Sequence, residues 1–532
     1  MTCILKRNNH RRGATKAHLS GLVACGIAVL LATLPNAVVA GDVQLKPQDI
    51  VDLGPLGLRA PGLTLPASEP ESPVIGGNVD EPGAGLLRRL LVQGKAAGFA
   101  GLLYDNRDRG HSALPPDLFP GLTRVTYGPE LQASDIGYGL AGQLLFPVPT
   151  LGNSSTALTD GPAPRSLPRQ AMTSASGPSN AFRAYAANHL YVYPEHRDHD
   201  AADLFPANWP YTVTTQGSSG SDQPFLRALL MSVAAFRPET RQRLKEENLI
   251  APTLQMLLRR NQTGVYDAEN YLLGATHPTV FDAARLSPER MISHAAALLP
   301  EDIPPMVRLR VEEDTFSTSA GLANLSERLF TTPAAVARVW RGFDTPREMV
   351  ISANGTVDPN DRDLTFSWVL LRGNPDAVQI TPLDQTGTRA RIEFGWQDAR
   401  PINRREPRLS PRVDIGVFAW NGLQFSAPAF VSVSFPTHQV RRYDDAGRLL
   451  SIDYDAVGRG AAFDPILHWS AGWRDTFRYD EGGTLIGWDR TDASGDPRRF
   501  DQNGNTADGQ PVAYELGMRD GKTQLSETAP QQ

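Results

Sequence analysis

The residue best placed for covalent chemistry is Ser219, in the short stretch GSSGSDQPF that begins at Gly217. The stretch follows a β-rich run and precedes an apolar helical pattern, and it fits small-x-Ser-x-small. A sharp turn between a strand and a helix lifts a serine hydroxyl clear of the sheet, and the next backbone N–H then helps to bind an oxyanion. The pattern predicts a serine nucleophile, with one departure. The second small position is Ser221, where this motif has glycine.

A serine nucleophile needs a base and an acid that orients the base, and in α/β-hydrolase order both follow it along the chain. The predicted catalytic residues are Ser219, His277 and Asp267, with His294 and Asp282 as alternatives. His277 precedes Pro278 and is therefore expected in an extended or turn segment, which suits a base carried on a loop. His294 lies in a helical pattern, which favours a packing or surface role.

The same stretch supports two other interpretations. Small residues before a helix expose several N–H groups, so Gly217, Ser218, Gly220 and Ser221 are predicted as a binding site for a phosphate or carboxylate. No lysine follows as in a P-loop, which argues against a nucleotide. The third interpretation is ordinary helix punctuation, with Ser221 or Asp222 as the N-cap and a proline in the first turn.

A charged run, YPEHRDHDAAD, follows a second predicted strand. Histidine and carboxylate side chains together bind divalent metals, so Glu195, His196, Asp198 and His199 are predicted as metal ligands. A divalent metal is thus the one cofactor that the sequence suggests. Two alternatives remain open. The run is a solvated loop, or one of its side chains reaches Ser219 across neighbouring strands and is its catalytic partner.

A third polar strand end is YDNRDRGHS, in which Asp105 and His111 are predicted as binding residues and a solvated turn is the alternative. Ligands of α/β sheets bind beyond the carboxyl ends of the strands. The ends at Asp105, Glu195 and Gly217 are therefore predicted to converge on one crevice.

The elements that must position these residues form an α/β domain, predicted over residues 86–340. Strand patterns such as GLLYDN and LTRVTYG alternate with helical ones such as QPFLRALLMSVAAF, which predicts a sheet covered by helices. Helical patterns are expected to continue through TPAAVARVW, which ends at Trp340.

The first forty residues predict a secretory signal peptide, with five basic residues, an apolar stretch and the small-residue end NAVVAGD. A single membrane anchor is the alternative, but the apolar run is short and contains Pro35. Both cysteines, Cys3 and Cys25, lie in this segment, so the mature chain has no disulfide, thiolate nucleophile or cysteine-ligated zinc. We expect an exported protein, periplasmic or extracellular, without a transmembrane span after signal removal.

Charge limits the classes of partner. Loss of the signal removes five basic and no acidic residues, which changes the formal net charge from −6 to about −11. A chain with this much negative charge lacks the electrostatic attraction that nucleic-acid binding requires, so the sequence argues against a nucleic-acid partner. The partners that remain are a small molecule, a polysaccharide or a protein.

Beyond these regions the composition changes twice. Residues 41–85 are rich in proline and glycine and predict an extended linker or a strap across a neighbouring region. After residue 345, strands with turn signals about every ten residues predict a β-sandwich to residue 436. Within it, SANGTVDPNDRDLTFSWVLLRG and VDIGVFAWNGLQFSAPAFVSVSF resemble the PKD-type, immunoglobulin-like domain of secreted bacterial proteins. The resemblance implies an Asp358-Pro359 turn, a buried Trp368 and a spacer or adhesion role.

Residues 437–515 contain an internal repeat, and residues 516–532 are expected to be disordered. YDDAGRLLSID and YDEGGTLIGWD share Y-D-x-x-G-x-L-x-x-x-D, and FDQNGN is a partial third copy. These copies resemble the YD repeats of Rhs-type secreted proteins. Each predicts a β-hairpin with Gly447 or Gly483 at the positive-φ turn position.

Two functions follow from the sequence as a whole. The first is a binding or envelope-associated protein with a PKD-like spacer or adhesion module. The alternative is a secreted serine hydrolase that uses Ser219.

Overall fold

The computed structural model describes residues 41–66, 73–140, 144–155, 171–172, 174–195, 205–403, 406–410, 412–436, 438–455, 467, 469–519 and 522–528. The signal segment lies outside this range, as do His196, Asp198 and His199. Among the described residues, no helix combines the length and apolar character needed to cross a bilayer.

A parallel sheet organises the first half of the chain. The first nine strands are β1 (Asp42–Leu45), β2 (Val51–Asp52), β3 (Leu58–Arg59), β4 (Leu103–Asn106), β5 (Thr123–Tyr127), β6 (Leu144–Leu145), β7 (Thr150–Asn153), β8 (His189–Pro194) and β9 (Thr212–Thr215). Six of them form one sheet in the order β1-β5-β4-β7-β8-β9, and every pairing in it is parallel. The central strands β7 and β8 are buried along their whole length, as expected when helices or loops cover both faces. The remaining three form a small sheet, β2-β3-β6.

The strand order creates a switch point between β4 and β7. From β4 the chain moves to β5 on one side and then crosses back to β7 on the other side. In open α/β sheets, ligands bind beyond the carboxyl ends of the strands at such a switch point.

Helices pack beside this sheet. They are α1 (Ala84–Val92), α2 (Pro129–Ala133), α3 (Gly177–Ala186), α4 (Gln223–Ala235), α5 (Pro238–Glu246), α6 (Ile250–Arg260), α7 (Ala268–Tyr271) and α8 (Pro288–Ala297). Helix α4 is apolar nearly all round and buries ten side chains, because it packs on α1, α6 and α8. The helix predicted for QPFLRALLMSVAAF is confirmed, with Pro224 in its first turn and its last residue, Ala235, shortly before Pro238.

The second half is β-rich. Its strands are β10 (Arg310–Asp314), β11 (Arg328–Thr332), β12 (Ala335–Val339), β13 (Arg347–Ser352), β14 (Thr365–Arg372), β15 (Val378–Pro382), β16 (Arg389–Phe394), β17 (Arg400–Asn403), β18 (Glu406–Ser410), β19 (Val413–Trp420) and β20 (Ala429–Ser434). They form sheets in the orders β10-β13-β16-β15 and β11-β12-β20-β19-β14, with β17-β18 as a separate hairpin. An α/β region followed by a β-rich region was the predicted fold class, and this coarse architecture is confirmed.

Two predicted segments differ in the structure. TPAAVARVW is not a helix, because β12 pairs in parallel with β20 and buries all five of its residues there. The β-rich region therefore begins at β10, about thirty residues before the predicted boundary at 340. The described part of residues 41–85 is the predicted strap and not an extended linker, since β1 adds an edge strand to the main sheet and Leu45, Ile75 and Val79 are buried.

The α/β layer and the β-rich region share one hydrophobic core. The rings of Tyr271 and Phe418 lie 5.7 Å apart, and the backbone N–H of Asn208 donates to Ser432 Oγ at 3.0 Å. Trp368 is half-buried, with its Nε1 donating to the carbonyl of Gly387, and is not the buried tryptophan that was predicted. The two regions therefore stabilise each other by packing.

The C-terminal residues form hairpins, as the repeat predicted. The strands are β21 (Val440–Tyr443), β22 (Leu449–Asp453), β23 (Trp473–Tyr479), β24 (Leu485–Asp492), β25 (Arg498–Asp501), β26 (Ala513–Arg519) and β27 (Lys522–Thr528). Gly447 and Gly483 adopt φ of 78° and 82° in the turns of the first two copies. For residues 516–519 and 522–528 the prediction of disorder is wrong, because β26 and β27 pair over their full length.

Candidate functional site

The loop after β4 begins with a closed ionic group that is structural. The Asp105 carboxylate is fully buried and accepts hydrogen bonds from the hydroxyls of Tyr127 at 2.8 Å and Tyr191 at 2.7 Å. Arg107 lies 3.6 Å from the same carboxylate and donates to the carbonyls of Ile136 and Gly139, each at 2.7 Å. Because these contacts satisfy both oxygens, Asp105 fixes the β4 loop and does not offer a group to a ligand.

Asp108, three residues further along, holds a different position. Its Oδ2 accepts from the backbone N–H of Ser155 at 3.0 Å and from the Ser155 hydroxyl at 2.8 Å. The backbone N–H and the hydroxyl of Ser112 donate to it as well. Burial by itself would raise the Asp108 pKa, but these hydrogen bonds together outweigh it and lower the pKa. Asp108 is therefore held as a carboxylate.

Asn153, the last residue of β7, links this carboxylate to a second one. Its Nδ2 donates to Ser112 Oγ at 3.0 Å and to Asp222 Oδ2 at 2.6 Å. Its Oδ1 accepts from the Tyr104 hydroxyl at 2.9 Å and from Asn106 Nδ2 at 3.2 Å. The amide is thus fully used, and its orientation follows from its partners. We call the connected set the switch-point cluster: Asp108, Ser112, Asn153, Ser155 and Asp222.

Asp222 stands at the N-cap position of α4, yet its carboxylate does not bond the free N–H groups of the helix. It turns back instead, with Oδ1 accepting from the Gly220 N–H at 3.1 Å and Oδ2 accepting from Asn153. Burial is the main cause that raises the Asp222 pKa, and the negative charge of Asp108 raises it further. The interpretation of this residue as an ordinary N-cap is therefore wrong in its chemistry, although its place along the helix is right.

The two carboxyl groups of the switch-point cluster thus have pKa values shifted in opposite directions, down for Asp108 and up for Asp222. Paired carboxyls with separated pKa values are how proteins keep a proton donor beside a proton acceptor. Both side chains are almost fully buried, but Asn106 and Gln223 are half-buried at the edge of the cluster. Gln223 Nε2 donates to the carbonyl of Ser112, so the start of α4 is tied directly to the β4 loop.

Two of the three strand ends predicted to converge do so. The loop after β4 and the start of α4, which follows β9, meet through Asn153 at the end of β7. Glu195 is buried at the end of β8, where its backbone N–H donates to the carbonyl of Thr215. Its predicted companions as metal ligands lie outside the described residues. Within the described part of the chain, no group of three histidine, cysteine or carboxylate side chains could hold a metal ion.

The turn from Gly217 to Ser221 has its own internal bonding. Gly217 and Gly220 adopt φ of 128° and 94°, a region that favours glycine. The N–H of Ser221 donates to the carbonyl of Ser218, and that of Gln223 donates to the carbonyl of Gly220. Ser221 Oγ lies 2.9 Å from the Thr215 hydroxyl. Since the Gly220 N–H bonds Asp222, two of the four N–H groups of the predicted anion site, those of Gly220 and Ser221, already have acceptors within the protein.

The structure does not join the predicted catalytic triad. Ser219 is exposed on the turn, whereas His277 is buried in the core, with its Nε2 2.5 Å from the carbonyl of Tyr271. Burial lowers the His277 pKa well below its usual range, so the imidazole is neutral. Asp267 caps α7 through the N–H of Asn270 at 2.7 Å. Among the described residues, no hydrogen bond connects the serine, the histidine and the aspartate.

The alternatives occupy other places. Asp282 accepts from the N–H of Ala284 and so caps a short 3₁₀ turn. His294 Nδ1 lies 3.1 Å from Asn261 Nδ2, and burial lowers the His294 pKa to about 4. His111, predicted to bind a ligand with Asp105, is exposed beside the switch-point cluster.

Sequence reasoning singled out neither Asn153 nor Asp222 for chemistry. One available signal was the position of Asn153 at the end of TLGN, where a strand pattern runs into the serine-rich loop NSST. The other signal was Asp222, the acidic residue that directly follows GSSGS, which was interpreted as a helix cap.

Comparisons with known proteins add little to this geometry. No family model matches the chain. No curated protein matches it either. Among solved structures, one match is a nucleoside hydrolase-related hypothetical protein from Saccharophagus degradans that is associated with carbohydrate metabolism. It is 9% identical, covers 54% of this chain and 71% of its own, and aligns with a TM-score of 0.18, which is too low to support an argument.

Proposed function

We propose that the protein is exported and binds a neutral, hydroxyl-rich ligand at the switch-point cluster. Amide and imidazole side chains donate to and accept from sugar hydroxyls, and Asn106, Gln223 and His111 bring such groups to the accessible edge of the cluster. A saccharide fits the predicted partner classes of small molecule or polysaccharide. The PKD-like resemblance of the β-rich region is consistent with an envelope or extracellular setting.

One observation carries this proposal, namely the position of the Asp108–Asn153–Asp222 linkage at the point where the strand order reverses. In open α/β sheets this is where ligands bind. Buried carboxyl groups with perturbed pKa values are enriched at functional sites. Apolar residues would hold the same strands together at a lower cost in desolvation.

A panel of neutral mono- and oligosaccharides tests the proposal through the shift in melting temperature of the purified protein. We expect at least one saccharide to raise the melting temperature of the wild type, because a ligand that binds only the folded state stabilises it. Asn106→Ala, at the edge of the cluster, should reduce the shift. Ser219→Ala is the matched control and should leave the shift unchanged. If no saccharide stabilises the protein, or if Asn106→Ala has no effect, the proposal fails.

Hydrolysis is a second candidate, favoured by the opposite pKa shifts of the two carboxyls. Asp222, whose raised pKa favours its protonated form, would serve as the general acid, and Asp108, whose lowered pKa favours its carboxylate form, as the base that activates water. Glycosidic bonds are the substrate class for which such a pair is suited. Incubation of the protein with aryl glycosides should release the phenol, and Asp222→Asn should abolish release while Ser219→Ala preserves it. Release that depends on Ser219 would instead support the serine hydrolase predicted from the sequence.

A further inference from the structure

An exposed apolar run lies near the start of the described chain. Val51, Leu53 and Leu56 are 44%, 37% and 49% exposed, and Pro55 between them is exposed as well. Single exposed apolar residues are ordinary on a protein surface, but several within one short run form a patch. We call residues 51–56 the apolar tip. Patches of this kind mark surfaces that bind a protein or a membrane.

The apolar tip forms the end of a hairpin whose base is held in place. Strands β2 and β3 pair antiparallel, with Val51 opposite Arg59 and Asp52 opposite Leu58. Strand β3 also pairs in parallel with β6, which fixes the hairpin to the α/β region. The exposed side chains are therefore carried on an ordered turn between two paired strands.

The backbone of this turn is satisfied internally. Each N–H group from Leu53 to Gly57 has an acceptor within the hairpin: three donate to backbone carbonyls, and that of Gly54 donates to Asp52 Oδ1 at 2.8 Å. Pro55 has no N–H, and its carbonyl accepts from Arg183 Nη2 at 2.8 Å.

This bonding favours a membrane over a protein that would add a strand. An unsatisfied backbone N–H costs free energy in the apolar layer of a bilayer, where no water replaces the lost hydrogen bond. A turn whose N–H groups are already bonded enters that layer without this cost. A partner that pairs by strand addition would instead need free N–H groups.

Two glycines shape the turn and leave it open to its surroundings. Gly54 and Gly57 adopt φ of 61° and 81°, a region that favours glycine. A Cβ at Gly54 would have no described atom within 4 Å beyond its chain neighbours. No described segment therefore covers this end of the hairpin.

Polar side chains surround the base of the hairpin. Asp52 and Arg59 are exposed on its two strands, and Lys46 and Asp49 are exposed just before it. Apolar side chains at one end and charges of both signs at the other are the arrangement of segments that lie in a membrane interface.

The position of the apolar tip along the chain supports the same occupant. Val51 lies ten residues after Gly41, where the sequence predicts the end of a signal peptide or, as the alternative, of a membrane anchor. Either segment holds the adjacent chain at the membrane during export, so the apolar tip is delivered next to a bilayer.

We infer that the apolar tip inserts into the surface of a lipid bilayer, with Leu53 and Leu56 among the acyl chains and the charged base at the headgroups. The inference shares with the proposed function only the expectation of export, and it involves no residue of the switch-point cluster.

A single fluorescent label on the full chain tests this inference. An environment-sensitive dye is attached to Leu56→Cys, with Cys3→Ser and Cys25→Ser so that the label is unique. Phosphatidylcholine vesicles should increase the emission of the dye and shift it to shorter wavelengths. The response should persist at high salt, because apolar burial drives it. The same dye on Val357→Cys is the matched control, since Val357 is 72% exposed in the β-rich region and should not respond.

An acidic substitution tests whether the apolar tip itself drives insertion. Leu53→Asp in the labelled chain should raise the vesicle concentration needed for half of the response about tenfold or more, because it removes one apolar side chain from the inserted surface. Val357→Asp makes the same kind of change outside the apolar tip and should leave that concentration unchanged.

Three results would overturn the inference. They are no response of the dye at residue 56, an equal response at residue 357, and a response that Leu53→Asp leaves unchanged. The first result would assign the patch to a protein partner. The assay contains no saccharide, so its outcome is independent of ligand binding at the switch-point cluster.

Discussion

Replacing Asn153 by alanine is the sharpest test of how the switch-point cluster is held together. The substitution removes three donated hydrogen bonds, to the Asp222 carboxylate and to the carbonyl and hydroxyl of Ser112. It also removes two accepted ones, from the Tyr104 hydroxyl and the Asn106 amide. All of these groups except Asn106 are buried.

The expected loss follows from what each partner keeps. The Tyr104 hydroxyl still accepts from the N–H of Leu114, and Ser112 still donates to Asp108, so these groups lose about 1 kcal/mol each. Asp222 keeps its backbone donors, among them the N–H of Gly220, and the loss of the Asn153 donor from this buried carboxyl costs about 1–3 kcal/mol more. The free energy of unfolding should therefore fall by about 3–5 kcal/mol, a large part of the stability of an ordinary domain.

Urea unfolding followed by tryptophan fluorescence measures this loss, with Ser219→Ala as the matched control. The control should change the free energy of unfolding by less than about 0.5 kcal/mol, because its side chain is exposed. The deficit of Asn153→Ala should also be larger near neutral pH than in acid. The lost hydrogen bond stabilises the ionised form of Asp222, so its removal raises the Asp222 pKa further. A deficit below about 1 kcal/mol would refute the view that Asn153 connects the two carboxyls.

Three further predictions concern titration and reactivity. Burial lowers the pKa of His189 from its ordinary 6.5 to about 4. The free energy of unfolding should therefore fall by about 3 kcal/mol as the pH decreases from 6.5 towards 4. Glutamine can still accept from the N–H of Phe146, so His189→Gln should flatten the curve of unfolding free energy against pH between 6.5 and 4, measured by urea unfolding. An unchanged curve would contradict the view that His189 causes this loss of stability. The Asp108 pKa is lowered, so Asp108→Asn should reduce the free energy of unfolding near neutral pH. In the same assay, the difference in unfolding free energy between wild type and variant should shrink below pH 3.8. A difference that stays constant with pH would contradict this prediction. A fluorophosphonate probe should not label Ser219, because no described histidine bonds it, whereas labelling that disappears in Ser219→Ala would restore the serine hydrolase.

Local sequence signals were sufficient where the structure depends on neighbours along the chain. The start and end of α4 and the tail hairpins follow from prolines, glycines and spacing within a few residues. The nature of β12 was not predictable in this way, because the alanines and the arginine in TPAAVARVW favour a helix in isolation. Its pairing with β20, almost a hundred residues away, decides in favour of a strand.

The candidate site also combines features that local sequence predicted with features that distant residues determine. The sequence predicted polar groups at strand ends, and Asp105 and Asp108 do lie at the end of β4. It did not predict which of these carboxylates would have its hydrogen bonds satisfied inside the core, because the two tyrosines that donate to Asp105 come from β5 and β8. The turn of Asp222 away from its own helix depends on Asn153, 69 residues earlier, and on the strand order that places the two side by side.

Hydrogen–deuterium exchange with and without the saccharide that most stabilises the protein tests the central claim most directly. The switch-point cluster is predicted to be where this ligand binds, so slowed exchange should appear at backbone amides in residues 106–112, 153–155 and 220–223 together. Asn106→Ala should remove that protection, whereas Ser219→Ala should retain it. Protection confined to the β-rich region, or spread without a maximum at these three segments, would contradict the account.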